Sequence, residues 1–114
     1  MFQFSIARLS QEAAAGGSSL VVLPEIWNSA YETSAFPKNA EDIDGGKSKS
    51  ANFLADLAKK HGITLIGGSI PEAKDGKTYN TCLTYGSQGT LLGKFAKVCC
   101  ASNDWIRYSS ILLS

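Results

Sequence analysis

The chain has 114 residues, a formal net charge of +1 and 44% hydrophobic residues, which suits one globular domain and no more. The near-neutral charge argues against a nucleic-acid or polyanion partner, and no apolar run approaches the ~20 residues that a membrane span needs. Residues 1–5 have neither the basic part nor the long apolar part of a secretory signal.

The cysteine and histidine content indicates the compartment. Cys82, Cys99 and Cys100 are odd in number and lack the spacing of a disulfide framework, so we predict reduced thiols in a cytoplasmic protein. His61 is the only histidine and there is no Cys-x-x-Cys pair, which argues against a zinc site. At the end of a helix pattern, His61 has a structural explanation.

The chain begins with a helix pattern and a short apolar strand. The pattern predicts a helix from Phe4 to Ala15, stopped by Gly16-Gly17, and a strand from Leu20 to Leu23. The strand shows no alternation, which is typical of a sheet covered on both faces. The predicted apolar stripe of the helix consists of Phe4, Ile6, Leu9, Ala13 and Ala14.

A long loop and a second helix follow. Residues 28–49, with Pro37 and Gly45-Gly46, predict a loop that contains one short helix. The apolar spacing of Phe53, Leu54, Leu57 and Ala58 predicts a helix from Ser50 to Lys60. Gly62 is the expected left-handed cap.

The remaining patterns predict strands. Ile63–Ile66 is a second buried strand that ends in a turn over residues 67–72, and Thr78–Tyr85 and Thr90–Val98 form a meander after the turn at residues 74–77. We predict one sheet with both helices on one face. If the domain is incomplete, apolar residues such as Val21, Ile66 and Leu83 should be poorly covered.

One carboxylate stands out for chemistry. Glu25 follows the first strand directly, after Pro24, at the kind of strand end where α/β proteins collect functional groups. A solvated loop acid is the alternative for an isolated strand-Pro-Glu segment. The other motifs of the chain decide between the two.

Taken together, these motifs resemble the nitrilase superfamily of carbon–nitrogen hydrolases, and most closely its omega-amidase branch. The resemblance covers roughly residues 7–97, in the family's order and at similar spacing. It rests on Leu23-Pro24-Glu25 with Asn28-Ser29 and Tyr31, on Phe36-Pro37 and Ala40-Glu41, on residues 66–72 (Ile-Gly-Gly-Ser-Ile-Pro-Glu), on Tyr79-Asn80-Thr81-Cys82, and on residues 89–97 (Gly-Thr-Leu-Leu-Gly-Lys-Phe-Ala-Lys).

The resemblance implies a fold and a reaction. The fold is an αββα sandwich, here partial and truncated before its second half, in the α/β (α+β) class. The reaction is hydrolysis of the terminal amide of dicarboxylate monoamides such as 2-oxoglutaramate and 2-oxosuccinamate, releasing ammonia through a Glu–Lys–Cys triad without metal or cofactor. Glu25 matches the general base and Lys97 the oxyanion-stabilising lysine.

The alternation of side chains along the last strand gives separate support for a functional role of Lys97. Leu91, Gly93, Phe95 and Lys97 should share one face, whereas Lys94 should lie on the other face with Leu92, Ala96 and Val98. The alternative is a lysine that reaches from a strand end into water.

The sequence departs from the family pattern after Lys97. The family's Ile-His-Leu-Phe-Asp-like continuation is replaced by Val98-Cys99-Cys100, Ala96 replaces a basic residue, and the Gly-x-Cys-x-Asp-like segment that carries the nucleophile is absent. The family's strand before the first helix is also absent. We therefore divide the chain into residues 1–97, the N-terminal part of the hydrolase domain, and residues 98–114, a divergent tail.

The three cysteines are not expected to replace the nucleophile. Cys82 falls within a strand, where a buried, inert thiol is typical. Cys99 and Cys100 follow Lys97 closely, but no elbow or oxyanion donors accompany them. We therefore predict little or no turnover by these 114 residues.

Three hypotheses follow. The first is part of an omega-amidase-like hydrolase that acts on a small amide. The second is a non-catalytic partner of full-length homologues, or a homo-oligomer, that associates through uncovered sheet edges and faces. The third is a small nucleotide-binding domain, with Gly67-Gly68-Ser69 as a weak phosphate loop.

Overall fold

A computed structural model describes residues 2–98 of the chain. Helices and strands occur in the predicted order, with one additional strand between the second and third predicted strands. The elements are the helices α1 (Phe2–Ala15), α2 (Phe36–Asn39) and α3 (Lys49–His61) and the strands β1 (Leu20–Val22), β2 (Thr64–Ile66), β3 (Ile70–Lys74), β4 (Lys77–Tyr85) and β5 (Leu91–Val98).

The five strands form one mixed sheet centred on β4. Strand β1 runs parallel to β2, and β2, β3 and β5 are antiparallel to β4. Strand β2 pairs with the end of β4 and β3 with its beginning, while β5 pairs along most of its length. Because a strand has two edges, β2 and β3 share one edge of β4 and β5 occupies the other.

One face of the sheet packs against α1 and α3, as predicted. Helix α3 buries Leu54, Leu57 and Ala58 against the sheet residues Leu65 and Leu83. Ser48 caps the start of α3 by accepting a hydrogen bond from the backbone N–H of Ala51 at 3.0 Å. Gly62 ends it with φ +60°, which confirms the predicted left-handed cap.

Helix α1 contributes less to the core than its pattern predicts. Ile6 is buried, but Phe4 and Leu9 are 75% and 53% exposed, so the predicted five-residue stripe is wrong for these two. The buried positions are Ile6 and Ser10, which are one turn apart. The helix therefore contacts the core along a narrow line.

Strand β3 was missed by the sequence interpretation, which placed residues 67–72 in a turn. Pro71 and Glu72 lie inside this strand, opposite Asn80 and Tyr79 of β4. Proline lacks a donor and a buried carboxylate is costly, so neither residue signals a strand in isolation. Here Pro71 accepts a hydrogen bond from the N–H of Glu41, and Glu72 has a cationic partner.

The second face of the sheet is largely uncovered within residues 2–98. Leu20 and Val22 are 53% and 64% exposed there, so the prediction of cover on both faces is wrong for this part of the chain. Val21 packs against the core and Leu83 is buried, contrary to the expectation that they would be poorly covered. Ile66 is half-buried on the uncovered face, opposite Val22.

Candidate active site

Glu25 follows β1, and its side chain reaches across to β4. One carboxylate oxygen accepts a hydrogen bond from Asn80 Nδ2 at 2.7 Å, and the other accepts from Tyr31 Oη at 2.9 Å. Among residues 2–98, no ion pair involves Glu25. Both donors are neutral, so they orient the carboxylate and leave its charge uncompensated.

Lys97 lies directly opposite Asn80 in the pairing of β4 with β5. Opposite residues of an antiparallel pair project from the same face of the sheet, with Cβ atoms roughly 5 Å apart. Asn80 is thus the hydrogen-bond donor of Glu25 and the cross-strand neighbour of Lys97. The family resemblance and the strand period of Lys97 predict that the Glu25 carboxylate and the Lys97 ammonium lie within about one water's reach of each other, and this stays a prediction.

The predicted face of β5 needs one correction. Gly93, Phe95 and Lys97 lie opposite Thr84, Cys82 and Asn80, and so share a face. Leu91 does not join this row, because an irregularity at Thr84/Tyr85 skips Leu92 and places Leu91 opposite Tyr85. Lys94 lies on the other face, as predicted.

Lys94 forms a charge cluster on the helix-covered face. Glu72 is 1% exposed and accepts hydrogen bonds from Lys94 and, at 2.8 Å, from Thr81 Oγ1. Asp44 pairs with Lys74 at 2.7 Å and with Lys94 at 2.6 Å. The two lysines of β5 therefore differ: Lys94 is half-buried in ion pairs, whereas Lys97 is exposed on the face of Glu25.

Ionisation within this cluster follows from its contacts. Hydrogen bonds from Lys74 and then Lys94 hold the pKa of Asp44 below its usual value. Burial lowers the pKa of Lys94, but hydrogen bonds to Asp44 and Glu72 outweigh burial and raise the pKa overall. Because the carboxyl of Asp44 has a depressed pKa, its contribution to stability is present at neutral pH and is lost as acid protonates it.

The loop that carries Glu25 is attached to the loop after β2. The indole Nε1 of Trp27, a buried residue, donates a hydrogen bond to the carbonyl of Gly67 at 2.9 Å. The Trp27 ring also packs against Phe53 of α3, with ring centroids 5.9 Å apart. The N–H of Leu23 donates to the carbonyl of Ile66 at 2.9 Å, so the attachment extends the β1–β2 pairing.

Gly68 lets the two loops approach each other. It has φ +61°, and a Cβ atom added there would lie 1.9 Å from the carbonyl oxygen of Pro24. Glycine is therefore needed at this position both for its conformation and for space.

Gly68→Ala should destabilise the chain markedly more than Gly76→Ala. Gly76 also has a positive φ, +73°, but nothing lies within 4 Å of an added Cβ. The backbone cost of about 1–2 kcal/mol is common to both changes, and the clash with Pro24 adds to it only at Gly68. Urea unfolding of the two variants measures the difference, and equal losses would contradict this account of Gly68.

Cys82 shows no sign of a catalytic thiol. It is half-buried within β4, and burial raises its pKa, which keeps the thiol protonated and weakly nucleophilic. The raised pKa is in line with the predicted inert thiol, although Cys82 is half-buried and not fully buried as predicted. Cys99 and Cys100 lie outside the described residues. Within residues 2–98 there is no group of three or more His, Cys, Asp or Glu side chains placed to hold a metal ion.

A cavity of about 560 Å³ lies elsewhere, between the start of α1 and the loop before α3. Its lining includes Glu41 and excludes Glu25, Asn80 and Lys97. The Glu41 carboxylate is occupied structurally, since it accepts hydrogen bonds from Asn28 Nδ2, from Ser48 Oγ and from the backbone N–H and Oγ of Ser50. This cavity is distinct from the site at the sheet end.

The chain belongs to the carbon–nitrogen hydrolase family, whose family model matches residues 5–106. Among known members it is similar to omega-amidases. It is 50% identical over 91 residues to omega-amidase NIT2-B of Xenopus laevis, covering 80% of this chain and 32% of that protein. It is 49% identical over 90 residues to the chloroplastic omega-amidase of Arabidopsis thaliana, covering 77% of this chain and 24% of that protein. The chain thus spans about a quarter to a third of the length of these relatives.

Solved structures show the same fold. Nit3 of Saccharomyces cerevisiae, a member of branch 10 of the nitrilase superfamily, matches with a TM-score of 0.75 and 36% identity, over 85% of this chain and 38% of that one. XC1258 of Xanthomonas campestris matches with a TM-score of 0.74 and 25% identity, over 97% and 40%. The prediction of a partial hydrolase fold of the nitrilase superfamily is confirmed. No helix within residues 2–98 is long and apolar enough to cross a membrane.

Asn80 was not recognised as a site residue from the sequence. It lies inside the family-like motif Tyr79-Asn80-Thr81-Cys82, but an asparagine within a strand carries no chemical signal of its own. Its place between Glu25 and Lys97 depends on the register of β4 and β5. The Gly67-Gly68-Ser69 segment is not favoured as a phosphate loop, because a strand follows it and the N–H groups of Gly67 and Ser69 bind protein carbonyls.

Proposed function

We propose that this chain supplies the general base, Glu25, and the oxyanion-stabilising lysine, Lys97, of an omega-amidase. The observation that carries the proposal is the position of Asn80. It donates a hydrogen bond to the Glu25 carboxylate and lies directly opposite Lys97, so one strand position links the base and the cation. Roughly 50% identity to omega-amidases over most of the chain supports this assignment.

The chemistry suits these groups. A carboxylate that is oriented but not ion-paired can remove the proton of a thiol and later deliver it to departing ammonia. An exposed ammonium nearby can stabilise the negative oxygen of the tetrahedral intermediate. The third member of the triad would be a cysteine in a Gly-x-Cys-x-Asp-like segment, which the 114-residue sequence does not contain.

The substrates we propose are dicarboxylate monoamides such as 2-oxoglutaramate and 2-oxosuccinamate, hydrolysed to the acid and ammonia without metal or cofactor. The substrate class rests on the omega-amidase resemblance. A cytoplasmic location and homo-oligomerisation also belong to the proposal.

The test is a transplant into a complete relative. Residues 5–97 of this chain replace the matching segment of Xenopus laevis omega-amidase NIT2-B, and ammonia release from 2-oxoglutaramate is measured. We expect the chimaera to be active and the 114-residue chain alone to show no measurable release, because the nucleophile of such a triad is indispensable. A folded but inactive chimaera would contradict the proposed roles.

The chain alone also provides an internal check on the cysteines. If it released ammonia, loss of that activity in Cys99→Ser or Cys100→Ser, but not in Cys82→Ser, would show that the tail supplies a nucleophile. Activity that survives all three changes would indicate a contaminating enzyme or a water-based mechanism. Activity that depends on Cys99 or Cys100 would therefore overturn the expected inactivity of the chain, as would a water-based mechanism, whereas a contaminating enzyme would not.

A further inference from the structure

Ser69 contacts the residues on both sides of Glu25. It is 8% exposed and lies between β2 and β3, in the loop that faces the loop after β1. Its backbone N–H donates a hydrogen bond to the carbonyl of Pro24 at 3.3 Å. Its side-chain Oγ accepts a hydrogen bond from the backbone N–H of Ile26 at 3.0 Å.

The bond to Ile26 holds an unusual backbone conformation. Ile26 has φ +48°, and a β-branched residue rarely adopts a positive φ because its Cβ crowds the backbone. Such a conformation persists when the surrounding structure determines it. Ile26 is also buried, so its N–H could not find water as a replacement acceptor if the Ser69 hydroxyl were removed.

We propose that Ser69 is a positioning residue for Glu25. By fixing Pro24 and Ile26, it sets the direction in which Glu25 leaves the main chain, and from that direction the carboxylate reaches Asn80 Nδ2. Ser69 takes no part in proton transfer. The two hydrogen bonds of Ser69 to Pro24 and Ile26 are called the Ser69 clamp. The importance of this clamp for catalysis rests on the proposed role of Glu25 as general base, whereas the existence of the clamp does not depend on that role.

The mechanical consequence is specific. Without an acceptor for its N–H, Ile26 can relax towards a negative φ, which turns the preceding peptide and moves the Glu25 side chain. Displacements of about 1 Å are enough to disable a general base, because proton transfer requires hydrogen-bond contact with the reacting group.

The experiment compares Ser69→Ala with Ser48→Ala in the full 114-residue chain labelled with ¹⁵N-asparagine. Both serines are buried and both accept a hydrogen bond from a backbone N–H, but Ser48 caps α3. The readout is the side-chain amide resonance of Asn80, the donor to Glu25. We expect this resonance to shift in Ser69→Ala and to stay in place in Ser48→Ala. An unchanged resonance in Ser69→Ala, or equal shifts in both variants, would overturn the proposal.

A measurement on the wild-type chain keeps the proposal testable if Ser69→Ala does not fold. The amide of Ile26 should exchange its hydrogen at least about tenfold more slowly than a free loop amide, since a buried acceptor holds it. Exchange at the free-loop rate would overturn the clamp. If Glu25 is not the base, activity of the chimaera will be insensitive to Glu25→Gln while these two readouts remain as expected, so the two failures are distinguishable.

Discussion

Glu25→Gln in the chimaera should lower the rate of ammonia release by about 10³-fold or more. Glutamine preserves the size of the side chain but cannot take up a proton, and a positioned general base contributes roughly 10²–10⁴-fold to such reactions. The loss should exceed the lower part of that range, because the members of a catalytic triad act as a unit. The measurement is the steady-state rate at saturating 2-oxoglutaramate.

Glu32→Gln is the matched control for this substitution. Glu32 is an exposed glutamate seven positions further along the same loop, and its recorded side-chain contact is a hydrogen bond from Ser34. Its substitution should leave the rate within about twofold, as expected for a change to an exposed side chain that takes no part in the hydrogen bonds of Glu25. A Glu25→Gln chimaera that keeps more than a tenth of the parent rate would refute the assignment of Glu25.

Lys94→Met should lower the free energy of unfolding by about 3 kcal/mol, because it leaves the buried carboxylate of Glu72 without its cation. This value is the lower end of the range for breaking a buried ion pair. We expect the lower end because the Lys94 side chain is 22% exposed, so water can partly replace the lost ammonium group. Urea unfolding of the 114-residue chain provides the measurement.

Lys97→Met separates this effect from a general effect of removing a lysine from β5. Lys97 is exposed and forms no ion pair with the other described residues, so its loss should change stability by less than about 0.5 kcal/mol. In the chimaera Lys97→Met should have the larger effect on activity, because it removes the proposed oxyanion-stabilising cation and with it about 10²-fold or more of the rate. Equal stability losses in the two variants would contradict the distinct roles.

A double substitution tests the cause of the Lys94 effect. Adding Glu72→Gln to Lys94→Met removes the uncompensated charge while keeping an acceptor for Thr81 Oγ1. Part of the lost stability should therefore return. If it does not, packing of the Lys94 stem accounts for the loss, and the ion pair does not.

Elements fixed by local sequence were predictable, and those that depend on distant partners were not. Helix α3 is predicted by its apolar stripe of Leu54, Leu57 and Ala58 and by its glycine cap, which all lie within one segment of the chain. Strand β3 does not, because Pro71 and Glu72 suit a strand only when Glu41 and Lys94 are in place. The exposed side chains of β1 show the same limit, since an apolar run does not reveal which face will be covered.

The site divides in the same way. Glu25 and Lys97 could be proposed from the sequence because carboxylates and lysines carry chemistry and the motifs around them are specific; their catalytic roles stay a prediction. Asn80 and Ser69 are polar residues of ordinary types, and their importance arises from the register of β4 with β5 and from the contact between two loops. Such contacts depend on tertiary geometry, and a single sequence does not encode them in a readable pattern.

The contact between Glu25 and Asn80 also dictates when the site can assemble. It joins positions 55 residues apart, so the chain must lose the conformational entropy of a long loop before this hydrogen bond can form. Lys97 comes to lie opposite Asn80 only after β5 has paired with β4, and this hairpin is the last one within residues 2–98 to leave the ribosome. During synthesis, Glu25 therefore emerges shortly before Tyr31 but long before Asn80, the second donor that orients its carboxylate. A chain that stops within β5 before Lys97 keeps most of its core contacts but never places a lysine opposite Asn80.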